Sequence, residues 1–224
     1  MTGVKGAIDL EVYPMRRQEI GLARFGVFLL LSSTILAGCV LKDPLSNPDQ
    51  AKLDDRLIGA WKYEGEKSKD ENWILFVGKA DLRHAPPGIM KAVSVENDRE
   101  KQIGVRTHYF FPTCLSEVNY ANLLDENPLD GEKEKTWNEN RVQQWLLIKY
   151  SVEIDRLTIW FLDASAVEKA VTRGEVKGIV EEKGLLKIKR TVFTDPKDLS
   201  RFLVNGGDKK LFSDDHKMVF SRIK

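Results

Sequence analysis

Histidine and cysteine are scarce in this 224-residue chain, three and two residues respectively, and that scarcity removes most metal and nucleophile chemistry. A metal centre needs several His, Cys or carboxylate ligands that converge, usually from short spacings; His84, His108 and His216 stand far apart. The acidic stretch Asp125-Glu126-Asn127-Pro128-Leu129-Asp130-Gly131 fails as a calcium loop. Pro128 and Leu129 interrupt the alternating ligands and the closing glutamate is misplaced, so the stretch reads as a turn. No G-x-S-x-G elbow presents a serine, and Gly174, Gly178 and Gly184 lack the Lys-Ser or Lys-Thr that follows a phosphate-cradling loop. Cys114 and His108 are the one thiol and imidazole close in sequence. Six residues along one strand separate them by about 20 Å, too far to share a proton, and Pro112 between them is expected to bend that strand. The chain therefore reads as a non-enzyme with no cofactor. Long hydrophobic runs are missing too: the apolar stretch that begins at Phe25 falls short of the roughly 20 residues a membrane-spanning helix needs.

What the N-terminus does contain is a basic segment (Arg16, Arg17, Arg24), a short apolar region and small residues before a cut site, the parts of a secretory signal. Leu36-Ala37-Gly38-Cys39 resembles the lipobox of bacterial lipoproteins. That resemblance implies that residues 1–38 are removed and that Cys39 is acylated, becoming the anchor of a cell-envelope protein. One acyl chain holds only marginally and two or more hold firmly, since each buried methylene contributes about 0.8 kcal/mol. Val40 stands where an Asp would favour inner-membrane retention in Gram-negative lipoproteins, so the resemblance points to the outer membrane, facing the periplasm. The alternative is an uncleaved membrane helix with an incidental cysteine. Residues 1–14 read as extraneous, because Met15-Arg16-Arg17 opens an ordinary signal by itself. Gln18-Glu19-Ile20 does not continue a twin-arginine signal, which favours general secretion.

Removing residues 1–38 takes away four of the 35 basic and three of the 34 acidic residues and leaves 31 of each sign. Nucleic-acid-binding proteins cluster Lys and Arg on one face, and this balance offers no such field, so no nucleic-acid partner is expected. Residues 39–224 suffice for one domain with its own core. With Cys39 acylated, Cys114 is the remaining thiol and no intrachain disulfide forms; a small buried hydrophobe is its common state. Residues 39–56, with two prolines and few apolar groups, read as the lipidated cysteine and a flexible tether. The nine residues Lys42 to Gln50 could span at most about 30 Å. Residues 57–224 read as the folded domain.

From Leu57 onward, short runs rich in Val, Ile, Trp, Tyr and Phe alternate with Gly, Pro, Asn and Asp, which predicts strands joined by turns. The expected strands are 58–66, 71–79, 89–97, 104–111, 115–123, 143–152, 155–162, 185–193 and 217–223, with the clearest hairpin turning at Glu153-Ile154-Asp155. Two helices are expected. Ser165-Ala166-Val167-Glu168 fits a capping box, with Gly174 as the stop, giving 165–173. Asp195-Pro196 opens the second, whose stripe of Leu199, Phe202 and Leu203 packs on or plugs the sheet before Asn205-Gly206-Gly207 ends it. Asp125 to Arg141 is a long polar connection.

Many hairpin-linked strands remove their exposed edges most directly by closing. The fold class is mainly β: an antiparallel barrel or strongly curved sheet with two short helices, calycin-like on the resemblance of Gly59-Ala60-Trp61 and Arg222. Leu57-Ile58-Gly59-Ala60-Trp61 resembles the G-x-W of the first strand of lipocalins and related calycins. In that family a basic residue of the last strand packs over the tryptophan and closes the barrel, and Arg222 in Phe220-Ser221-Arg222 stands in that place, a structural role. The second lipocalin motif is not recognisable, and the whole exported part is similar in layout to other bacterial lipoproteins. Trp73, Phe76, Tyr109, Phe111, Trp145, Tyr150, Trp160 and Phe161 lie on expected strands, where they either fill the barrel or line a pocket for one small apolar ligand. The expected function is a lipid-anchored envelope protein that binds a small hydrophobic molecule or lipid without catalysis. The alternative is a structural or assembly factor that contacts another envelope protein through its outer surface.

Overall fold

The computed structural model describes residues 39–65, 72–97, 103–124, 144–183 and 188–224. The expected signal segment and the polar connection 125–141 lie outside the described residues. The strands are β1 (Cys39–Leu41), β2 (Gly59–Tyr63), β3 (Asn72–Lys79), β4 (Met90–Asn97), β5 (Ile103–Leu115), β6 (Val118–Leu124), β7 (Trp145–Val152), β8 (Arg156–Phe161), β9 (Gly178–Lys183), β10 (Ile188–Phe193) and β11 (Lys217–Arg222). Helix α1 spans Ala164–Thr172, and α2 runs from Pro196–Phe202 through a wide turn at Leu203–Gly207 into Asp208–Leu211.

Eight strands close into a ring in the order β2-β3-β4-β5-β6-β7-β8-β11, with β11 bonded back to β2 and every neighbouring pair antiparallel. This is the closed calycin-like barrel expected from the strand pattern, and all nine expected strands are present. The boundary between β5 and β6 differs from expectation. β4 ends at Met90 opposite Phe110, so further along β5 has β6 as its neighbour on one side, a setting in which Pro112 is tolerated and the strand continues to Leu115. Ser116 and Glu117, with φ of 46° and 69°, then make a two-residue hairpin turn of the type that matches strand twist.

The two strands that sequence periodicity did not reveal, β1 and β9, form a side sheet. β8 leaves β7 at Ile148, and β1 takes its place against Trp145, with β10 parallel to β1 and β9 outermost. Residues 39–56, expected as a free tether, are therefore docked along the barrel. The Leu45 amide donates to Asn122 Oδ1 at 2.7 Å, Ser46 and Thr113 share a hydroxyl bond of 2.6 Å, and Asn122 Nδ2 donates to Thr113 Oγ1 at 2.8 Å. The partners come from β5 and β6, about seventy residues away, which is why local composition read the segment as free.

Alternation sorts the barrel's side chains into two cores. Phe110, Ala121 and Tyr150 point inward with Trp61, Leu157 and Phe220. Their neighbours Phe111, Tyr120 and Leu147 point outward, where Leu41, Phe193, Val167, Leu199 and Leu211 cover them. Helix α2 thus packs on the outer face and does not plug the barrel. Its expected stop at Asn205-Gly206-Gly207 is a kink, with Gly206 at φ +91°, after which Asp208–Leu211 resumes to bury Leu211. Helix α1 is capped by Asp163, not Ser165. Asp163 Oδ1 accepts from the amides of Ser165 (2.9 Å) and Ala166 (3.1 Å), and its own amide is fixed on the Leu211 carbonyl at 2.9 Å.

Candidate functional site

At one end of the barrel the 3₁₀ turn Asp55–Leu57 leads into β2, and Arg222 of β11 lies over it. Its guanidinium carbon is 4.1 Å from the centre of the Trp61 ring, an attraction of about 0.5 to 2 kcal/mol. The same group donates to the carbonyls of Ile58 (Nη1, 2.8 Å), Arg56 (Nη2, 2.6 Å) and Ile154 (Nε, 3.2 Å), while Trp61 Nε1 donates to the Leu57 carbonyl at 2.8 Å. Gly59, at φ +141°, is required here because a Cβ would meet Arg222 Nη1 at 2.8 Å. The sequence thus singled out Gly59, Trp61 and Arg222 as a group that the structure brings together as the barrel floor.

Above the floor the interior keeps a cavity of about 120 Å³. Its walls are almost wholly apolar, with Leu75, Val77, Phe110, Ile148, Ile159 and Met218 among them and Ser94, His108 and Tyr150 as the polar side chains. Burial, and then the charge of Arg106, hold His108 below its ordinary pKa, so the neutral imidazole is favoured. Towards the far end, where β2 finishes and β3 begins, Tyr63, Trp73 and Phe220 pack ring on ring with centroids 5.5–5.7 Å apart and narrow the interior. Of the aromatics weighed from sequence, Trp73, Tyr150 and Phe161 line the cavity. Tyr109, Phe111 and Trp145 belong to the outer core. Trp160 donates outward to Asp214 Oδ1 at 2.9 Å, and Phe76 is exposed.

Beneath the floor lies a second hollow, a polar groove of about 460 Å³ between the docked segment 46–56 and the tip of the β5–β6 hairpin. Tyr150 lines both spaces. Its hydroxyl donates to Asp54 Oδ2 at 2.9 Å, and Arg56 Nε and Nη2 donate to the same carboxylate at 2.8 and 2.7 Å. Burial opposes ionisation of Asp54, but the bonds from Arg56 and Tyr150 outweigh it and hold the carboxyl below its ordinary range. Burial and the Asp54 charge in turn push the Tyr150 phenol well up. Sequence reasoning missed this Asp54-Arg56-Tyr150 group, because two members sit in the supposed tether and the third is 96 residues away. Cys114 is exposed in the groove and His108 faces the interior, so the thiol and the imidazole are not brought together.

Cys39 sits elsewhere, in β1 against the outer core, with its thiol buried. Burial first, then the nearby charges of Asp163 and Glu168, push the thiol up to about 12. Among the described residues no group of three His, Cys, Asp or Glu could hold a metal ion, and no helix is long and apolar enough to cross a membrane. Compared with protein-family models, curated proteins and solved structures, the chain matches none.

Proposed function

We propose that the barrel binds a slender apolar molecule, or one alkyl chain of a lipid, without catalysing a reaction. The observation that carries this reading is the almost entirely apolar interior space of about 120 Å³. That is near the ~150 Å³ of an engineered cavity that stays dry and takes up benzene. Size limits the ligand: such a space holds a segment of roughly six carbons, whose transfer from water contributes about 5 kcal/mol before the costs of association. Bulky ring systems are excluded. The test is Ala92→Leu, which fills the cavity from its wall. Binding of decan-1-ol to the full chain should fall at least tenfold; unchanged binding would sink the reading.

We further propose that the protein is exported and held to a bilayer through acylated Cys39, in a cell envelope. The motif Leu36-Ala37-Gly38-Cys39 supports this. The fold attaches a condition to it, since a diacylglyceryl group cannot share the closed site that holds the free thiol. The lipidated protein must therefore carry residues 39–41 outside the slot between β7 and β10. Cys39→Ser should abolish palmitate incorporation and leave a chain of full unprocessed mass; continued labelling would show that another residue is the anchor.

A second reading, docking of an envelope protein on the outer surface, is favoured by one feature. The outward side of β3, β4 and β5 presents exposed apolar side chains. Phe76, Ile103 and Val105 are 47%, 69% and 61% exposed, and the strand register sets Ile74, Val93 and Val95 on the same face. Isolated exposed hydrophobics are ordinary, whereas a contiguous group marks an interaction surface. Lys62 and Lys91 share this face by alternation, so the fitting partner is apolar at its centre and acidic at its rim. Phe76→Ser with Val105→Ser should abolish co-purification of that partner and leave decan-1-ol binding unchanged.

A further inference from the structure

The interior and the groove beneath the floor have complementary chemistry and a common wall. The interior is apolar and too small for a whole lipid chain, while the groove is larger and lined by charged and amide side chains. Tyr150 separates them: its ring faces the cavity, and its hydroxyl is held in the groove by Asp54 at 2.9 Å. At the opposite end the rings of Tyr63, Trp73 and Phe220 pack together, and Trp73 and Phe220 form part of the cavity wall. The groove also has a charge preference. Lys52 and Arg56 line it, and its single carboxylate, Asp54, is already bonded to Arg56 at 2.7 Å. Gln50 and Asn119 add amide groups. A ligand that satisfies both spaces has a negative head and one flexible apolar tail.

We propose that the groove and the interior form one site for a single-chain amphiphile with an anionic head, carboxylate or phosphate. The head lies in the groove beside Lys52 and Arg56, the first carbons pass where the Tyr150 ring now stands, and the tail ends in the barrel. The ligand is thus admitted through the floor, next to the Trp61–Arg222 closure, and not through the end lined by Trp73. This extends the interior-binding reading and rests on it. Moving the Tyr150 ring breaks one side-chain hydrogen bond, the one to Asp54, together with its packing in the inner core. Arg222, bonded to three carbonyls, is fixed by comparison.

Cys114 provides the test, because its exposed thiol lies in the groove while the thiol of Cys39 is buried. The full chain carrying Cys39→Ala, so that no acyl group enters the assay, is titrated with decanoate and with decan-1-ol by calorimetry. Decanoate should bind at least tenfold tighter than decan-1-ol. A bulky maleimide on Cys114, and independently Lys52→Glu, should each cut decanoate affinity at least tenfold, whereas Lys189→Glu, on β10 of the side sheet and in the wall of neither space, should leave it unchanged. Decanoate binding that survives both groove changes would place the head outside the groove and overturn the inference. Equal affinity for the acid and the alcohol would overturn the groove assignment alone. Failure of both ligands to bind would remove the interior reading beneath it. An unchanged melting temperature of the labelled and substituted chains shows that the fold was not what failed.

Discussion

The two cores of this barrel are built from the same strands and are filled differently. In the outer core Phe111 meets Trp145 edge to face at 5.3 Å, and Val167, Leu199 and Leu211 are fully buried in the same cluster. The inner core, from the opposite faces of those strands, keeps a space of about 120 Å³ bordered by Ala92 and Ala121 where larger side chains would have closed it. Protein interiors ordinarily approach crystal density. On the proposed reading this difference separates two tasks, with the outer core carrying stability and the inner space left for a guest.

The sharpest way to break this contrast is to cut into the outer core. Phe111→Ala should lower unfolding free energy by about 3–5 kcal/mol, read as a fall in urea midpoint at constant slope, while the interior stays able to bind decan-1-ol in the folded fraction. Next comes the floor. Arg222→Ala strands three carbonyls and removes the contact with Trp61, a loss of about 2 kcal/mol; Arg222→Lys, which cannot reach all three, should recover only part of it. A paired substitution then compares the cores directly. Ala170→Leu, in the outer core, should cost about 1–3 kcal/mol through overpacking. Ala92→Leu, which has the cavity to enter, should change stability by less than about 1 kcal/mol. Equal costs would mean that the interior is no roomier than the exterior.

The smallest effect is a pH dependence that belongs to the inner core alone. Burial and Arg106 depress the pKa of His108, so the unfolded chain takes up its proton first as the pH falls. The stability contributed by the neutral imidazole is complete above the unfolded value of about 6.5 and declines as pH drops below it towards the folded value. His108→Leu should flatten the stability curve in that window; an unchanged slope would show that this histidine is not the group concerned.

How far the sequence reached follows from the range of the interactions involved. The barrel strands were legible because alternation and turn residues are local, and Gly59, Trp61 and Arg222 were legible because of their resemblance to a lipocalin pattern at the two ends of the domain. β1 was not, because three residues show no period and its partners, Trp145 and Thr191 to Phe193, lie more than a hundred residues away. The same distance hid Asp54 from Tyr150. Asp163 and Ser165 both have side chains able to cap α1, and what decides between them is the anchoring of the Asp163 amide on Leu211, a tertiary contact. Alternation told that the aromatics divide between two faces, but the residual volume of the interior depends on how Trp73, Phe220 and Tyr63 pack together.

That the hollow interior takes an alkyl chain is tested most directly by methyl NMR of the isoleucines during a decan-1-ol titration. Ile148 and Ile159, in the cavity wall, should shift in a saturable manner, while Ile179, exposed on β9, stays put, and Ala92→Leu should abolish the response. Shifts spread evenly over interior and surface, or a response that survives Ala92→Leu, would contradict a binding site inside the barrel.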